Sequence, residues 1–190
     1  MGRTGTTGFT TGVAGSGKTY SRCARFLVDE FLPYESGKFY CNYPLGLVPA
    51  HAKPAFEGET FIDRIVARVL EKHPDFSDDD IRDRIVLIPE EVIREWSAEQ
   101  SSPADWFREL DIQDAHIAID EVHNFAGKQC KSTIRKTWQE FLGELRHRGA
   151  RFEGISQNLD KIHQDLRREA AWHIHVESCD NDRDLVFRVP

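Results

Sequence analysis

The eight residues Gly12-Val13-Ala14-Gly15-Ser16-Gly17-Lys18-Thr19 restrict this chain more than any other stretch of it. They match G-x-x-x-x-G-K-[ST] in full, a pattern whose glycines let bare backbone wrap an anion. Such a loop works only between a strand and a helix, where its N–H groups and the helix N-terminus converge on phosphate. Both neighbours are legible. Residues 9–13 read as a strand, and residues 18–32 read as a helix that turns Phe26, Leu27 and Phe31 inward and stops at Pro33. Lys18 then places its ammonium on the β- and γ-phosphates of ATP, and the Thr19 hydroxyl ligates Mg²⁺. The nucleotide-binding candidates are therefore Gly12, Val13, Ala14, Gly15, Ser16, Gly17, Lys18, Thr19 and Tyr20.

The rest of the chain alternates short apolar runs with helical patterns, the mark of a parallel α/β sheet. Strands are expected at residues 38–43, 85–88, 115–119 and 152–156, with a closing pair at 173–177 and 185–189. Helices are expected at 60–73, opened by a Thr60/Asp63 capping box, and at 90–110 with a break near 101–103. Two more are expected at 132–147 and 159–169. Pro44, Pro49 and Pro54 make residues 44–58 an irregular loop. The six acids of residues 71–83 read as a solvated turn before a helix start. The fold expected is a three-layer RecA-like P-loop NTPase (ASCE) architecture, with a mostly parallel sheet and a C-terminal antiparallel strand pair. One domain covers 1–190 and carries a mainly helical insertion at about 59–110.

A net charge of -7 excludes a uniformly basic nucleic-acid coat but not a local basic patch. Cys23, Cys41, Cys130 and Cys179 are too far apart in sequence for a zinc ribbon and read as reduced thiols of a cytoplasmic protein. No run approaches the roughly 18 to 20 apolar residues of a membrane helix.

His116-Ile-Ala-Ile-Asp120-Glu121 is an apolar strand ending in two acids, and a buried strand delivers its last residues to the edge where ligands bind. Asp120 is placed to hold Mg²⁺ with Thr19, as a Walker B aspartate does, and Glu121 to polarise the attacking water. A carboxylate directly after the magnesium aspartate points to the ATPase branch with an extra strand between the phosphate-loop strand and the acidic strand. Residues 38–43 or 85–88 supply intervening or flanking strands. Gln157, with Ser156 second, closes the strand at 152–156 and is the candidate sensor of the γ-phosphate. His123 reads as a supporting histidine. Residues 128–151 hold seven basic side chains against Glu140 and Glu144. They suit a DNA phosphate surface, an arginine finger presented to a neighbouring subunit's ATP, or a solvated helix face. Arg146, Arg148 and Arg151 lead as finger candidates, with Arg167 and Arg168 behind them.

Taken together, GVAGSGKT, FYCNYPL, IAIDEVHNF and LRHRGARFEGISQN resemble the zonula occludens toxin (Zot)-like ATPases, assembly and export ATPases of filamentous phages in the HerA–FtsK class of DNA-pumping motors. The resemblance spans about residues 8–178. It implies a homo-oligomeric ring with an arginine supplied in trans, a polar Gln at the position of Gln157, and DNA as the translocated or packaged partner. Zot-like proteins usually continue into a membrane helix and an outer domain. A membrane or a capsid and portal partner is thus expected through regions outside this chain, or else the chain is a short viral packaging ATPase. The alternatives are a large-terminase-type ATPase, a small-molecule P-loop kinase, a DExH helicase and an assembly factor that uses ATP without motor activity.

Overall fold

The computed structural model describes residues 5–14, 16–43, 45, 58–98, 100–110, 112–177 and 186–188. β1 (Thr7–Thr11) leads into the glycine loop. Helix α1 spans residues 18–34, built from Lys18–Tyr20, a wider-wound Ser21–Phe31 and Leu32–Tyr34. Pro33 does not end it. It is the middle residue of the last turn, Leu32–Tyr34, and the chain turns extended at Glu35, one residue beyond that turn. Next come β2 (Phe39–Cys41), α2 (Phe61–Lys72), α3 (Asp78–Asp83), β3 (Ile85–Leu87), α4 (Glu90–Ser97) and α5 (Pro103–Glu109). The second half holds β4 (His116–Ile119), α6 (His123–Ala126), α7 (Ser132–His147), β5 (Arg151–Ser156), α8 (Gln164–Arg168), β6 (Trp172–Glu177) and β7 (Val186–Arg188).

The strands form one seven-stranded sheet in the order β3-β2-β4-β5-β1-β6-β7. All neighbours are parallel except the closing pair β6–β7. The strand between the phosphate-loop strand β1 and the acidic strand β4 is thus β5. β2 and β3 flank β4 on its far side. Sequence order hides this, because β5 comes after β4 in the chain and is inserted next to β1 by a crossover through α7.

Helices cover both faces. On one, Phe26, Leu27 and Phe31 of α1 join Ile65, Val66, Val69 and Ile81 of α2 and α3 over Phe39, Cys41, Ala118 and Ile155. On the other, Trp96, Phe107, Trp138, Phe141 and Leu142 of α4, α5 and α7 pack over Phe9, Ile117, Ile119 and Phe152. Ile117 and Ala118 point to opposite faces, as the two-residue period of a strand requires.

Local chemistry sets several element ends. Thr60 Oγ1 accepts from Asp63 N at 3.2 Å while Asp63 Oδ2 accepts from Thr60 N at 2.7 Å, which completes the capping box. The Thr60 N–H and the Arg82 guanidinium hold the Asp63 carboxyl at about 2. In the acidic stretch, Ser77 caps α3 and Asp78, Asp79 and Asp80 fill its first turn, where the helix dipole favours negative charge. The helix expected at 159–169 is two pieces, a 3-10 turn at Leu159–Lys161 and then α8. Ile162 breaks out between them to bridge Gly127, and His163 caps α8 by accepting from Asp165 N. Cys41 is a buried free thiol, pushed up to about 12 by burial, and Cys130 is a half-exposed one. Cys179 and most of the proline-rich loop lie outside the described residues.

Candidate nucleotide site

The parallel register brings four strand ends to one edge. Thr11 pairs with Ser156, Ile119 with Gly154, and Cys41 with Ala118, so residues 12, 42, 120 and 156 emerge together. Gly12 is needed there for space: a Cβ would meet Val176 O at 2.4 Å and Ser16 Oγ at 2.7 Å. Gly17 is needed for conformation, with φ at 81°. Within the loop, Ser16 N and Lys18 Nζ both donate to Val13 O, at 3.1 and 3.2 Å. Lys18 is 6% exposed, and the buried Ser16 Oγ has no hydrogen-bond partner among the described residues. Gly15 and the Tyr20 side chain lie outside the described part of the structure.

Thr19 Oγ1 donates to Asp120 Oδ2 at 2.6 Å. Asp120 is held from three sides. Its N–H donates to Asn42 Oδ1 at 2.7 Å, Asn42 Nδ2 donates to its carbonyl at 3.3 Å, and Glu121 N donates to its Oδ1 at 2.8 Å. Burial raises the Asp120 carboxyl above its usual range, opposed by the Thr19 hydroxyl and the Glu121 N–H. Sequence reasoning missed Asn42, although the signal was available: a polar residue directly after the apolar strand Phe39–Cys41, just as Asp120 comes directly after His116–Ile119.

Glu121 has φ at 51°, in the left-handed region that non-glycine residues enter at a cost of order 1 kcal/mol or more. That turn swings the chain away from the sheet and starts α6. His123 Nδ1 lies 3.2 Å from Glu121 Oε2 and 3.0 Å from Ser156 Oγ. Ser156 Oγ donates to Asn158 O at 3.1 Å, so its own proton is spent and it accepts the Nδ1 hydrogen of His123, which leaves Glu121 Oε2 with no hydrogen-bond partner among the described residues. Burial lowers the His123 pKa, which keeps the ring neutral. Ser156, the second sensor candidate, is therefore buried and engaged with His123. Gln157, the first, stands half-exposed at the end of β5, with Lys161 Nζ donating to its Oε1 at 2.8 Å.

The arginines lie elsewhere. Arg151 opens β5 and Ser156 closes it, a separation of about 17 Å at the rise of a strand. Arg146 and Arg148 precede Arg151 and belong to the same far edge of the sheet. Arg146 pairs with Glu169, Arg148 lies 3.7 Å from Glu144, and Arg151 lies 3.4 Å from Glu35. Arg167 and Arg168 of α8 pair with Asp160 and Asp165. The structure places Arg146, Arg148 and Arg151 at the edge of the sheet opposite their own chain's phosphate loop. Among the described residues no helix is long and apolar enough to cross a membrane.

Solved structures share this fold. The N-terminal domain of zonular occludens toxin from Neisseria meningitidis is 16% identical with a TM-score of 0.54, over 98% of this chain and 84% of that one. The genome packaging NTPase of Sulfolobus turreted icosahedral virus 2, in complex with ATP-gammaS, is 14% identical with a TM-score of 0.52, over 93% and 76%. The DNA-packaging ATPase of Sulfolobus turreted icosahedral virus is 12% identical with a TM-score of 0.53, over 93% and 77%. These identities carry the likeness of fold, that of a P-loop NTPase. Among curated proteins no sequence matches the chain. The family model for zonular occludens toxin (Zot) matches residues 6–181, and the chain belongs to that family.

Proposed function

We propose that this chain is the motor domain of an ATPase that couples hydrolysis of Mg-ATP to the packaging, translocation or export of viral DNA. The observation that carries the proposal is the 2.6 Å contact between Thr19 Oγ1 and Asp120 Oδ2, with Glu121 next in sequence. A hydroxyl and a carboxylate are hard oxygen donors of the kind Mg²⁺ takes. The unpartnered Ser16 Oγ and the side-chain-free cradle at Gly12 add room and polarity for phosphate. These residues fit Mg-ATP: Thr19 and Asp120 would hold the ion, and the ion would neutralise charge developing on the β- and γ-phosphates.

The chain's own groups do the remainder. Lys18 leaves Val13 O for phosphate oxygens. Glu121, placed by its fixed backbone turn and with Oε2 free of any hydrogen-bond partner among the described residues, accepts a proton from the attacking water. Gln157 reports the γ-phosphate after releasing Lys161. The far-edge arginines Arg146, Arg148 and Arg151 reach phosphate only in a neighbouring subunit, so a homo-oligomeric ring with a trans finger is part of the reading. We take residues 1–190 as one cytoplasmic ATPase domain with a mainly helical insertion at about 59–110. The viral packaging NTPases of the same fold lend the DNA assignment its support.

The test is ATP turnover with and without single- or double-stranded DNA, beside Glu121→Gln. Stimulation by DNA, lost in the variant while ATP still binds, supports a motor. Turnover indifferent to DNA favours the assembly-factor alternative, and phosphate transferred to a small acceptor favours a kinase.

A further inference from the structure

Beneath the nucleotide site lies a buried ionic network that the chemistry above does not use. Glu153 of β5 is fully buried, as are Thr10 of β1 and His116 of β4, and Arg22 of α1 is 6% exposed. Arg22 Nη2 donates to Glu153 Oε2 at 2.9 Å, and Nε lies 2.5 Å from Oε1 as an ion pair without hydrogen-bond geometry. Thr10 Oγ1 donates to Oε1 at 2.5 Å, and His116 Nε2 lies 3.2 Å from Oε2. The Arg22 guanidinium also sits 4.1 Å from the Phe26 ring centroid, and His116 stacks on Phe39 at 5.2 Å.

A buried ion pair is a poor way to gain stability, since well-packed apolar residues of the same volume do as well or better. What it supplies is fixed geometry, because a buried carboxylate held by hydrogen bonds from Arg22, Thr10 and His116 tolerates little sliding or rotation. Its members sit where geometry matters to the site. Arg22 is one helical turn past Lys18, about 6 Å along α1. Thr10 is two residues before Gly12, Glu153 three before Ser156, and His116 four before Asp120. Each element that supplies a nucleotide-site residue at the strand edge, other than β2, sends one side chain into this network.

We propose that Arg22 and Glu153 are a positioning pair that locks the start of α1 in register against β1, β4 and β5, and so sets the phosphate loop and Lys18 before nucleotide arrives. The proposal rests on the reading of residues 12–19 as a phosphate loop. It assigns a role to a pair that touches neither ATP nor metal.

The test separates positioning from mere stability. Arg22→Met and Glu153→Gln each leave an uncompensated buried group and lower Tm. The double variant has no buried charge to strand, and its Tm recovers most of that loss. Amide hydrogen exchange is then read on nucleotide-free protein, which needs no activity. Exchange at residues 12–19 is expected about ten-fold faster in the double variant than in the wild type, with strand protection kept in β5. Arg22→Lys, which keeps the charge but not the planar guanidinium, gives an intermediate rate. A fluorescent ATP analogue then binds the double variant about ten-fold more weakly than the wild type. Wild-type exchange at residues 12–19 in the double variant, or in Arg22→Lys, overturns the proposal. Failure of the wild-type chain to bind the ATP analogue sinks the ATPase reading instead and leaves the exchange result standing.

Discussion

Lys18, Thr19, Asp120 and Glu121 have unequal duties, and their variants separate accordingly. If the proposed site holds ATP, Lys18→Ala removes the ammonium meant for the triphosphate and abolishes measurable ATP binding. Glu121→Gln keeps shape and binding but removes the proton acceptor, and turnover falls by about 10²–10⁴-fold. Asn42→Ala is the less obvious test. Asn42 bonds both the N–H and the carbonyl of Asp120. Its loss lets the carboxylate drift, and turnover falls by about ten-fold or more while ATP affinity changes little; steady-state kinetics resolve the two. At this scale the sequence was most informative where chemistry demands a fixed residue type. The glycines, Lys18, Thr19 and the Asp120-Glu121 pair are legible because no other side chains do their work. Asn42, Arg22 and Glu153 are not, because their roles exist only once strands distant in sequence lie side by side.

The strands and helices obey more general forces. α7 carries Trp138, Phe141, Leu142 and Leu145 on one buried face, and Trp138 meets Trp96, Phe141 and Phe152 at ring-centroid distances of 5.6–6.1 Å. Trp138→Ala leaves a cavity between α7 and the sheet and costs about 3–5 kcal/mol, measured by urea unfolding. Acid weakens the same sheet by two routes. Burial lowers His116, so the unfolded chain takes a proton near pH 6.5 that the fold refuses, and stability falls as pH drops below that value. His123 and His173, also lowered by burial, add to this. Burial would raise Glu153, but Arg22 and His116 hold it at about 2. Its contribution is therefore present above the unfolded value of roughly 4.3 and is lost as pH falls from there towards 2. Tm measured from pH 8 to pH 3 declines in two stages, and His116→Asn flattens the upper one. The apolar periods of α2 and α7 announce these helices from sequence. The place of β5 between β1 and β4 cannot be had from periodicity, since periodicity tells a strand from a helix and only the crossover decides its neighbours.

The whole molecule poses the question of what ATP drives. The chain is acidic overall, yet Arg146, Arg148 and Arg151 each pair with an acidic partner, so in the proposed ring a neighbouring subunit's nucleotide would have to compete for them. In mixed oligomers, Arg146, Arg148 and Arg151 replaced together by Ala lower the activity of wild-type neighbours more than dilution does. Equality with simple dilution would remove the trans finger. The fold class could be read from the alternation of strand and helix around one glycine loop. The proposed assembly could not, because contacts between subunits leave no periodicity in a single chain. The most direct test of the central reading is the rate of ATP hydrolysis by the wild-type chain and by Lys18→Ala, each with magnesium and with magnesium chelated. Hydrolysis by the wild-type chain only, and only with magnesium, is the predicted result; equal rates for the two proteins would contradict it.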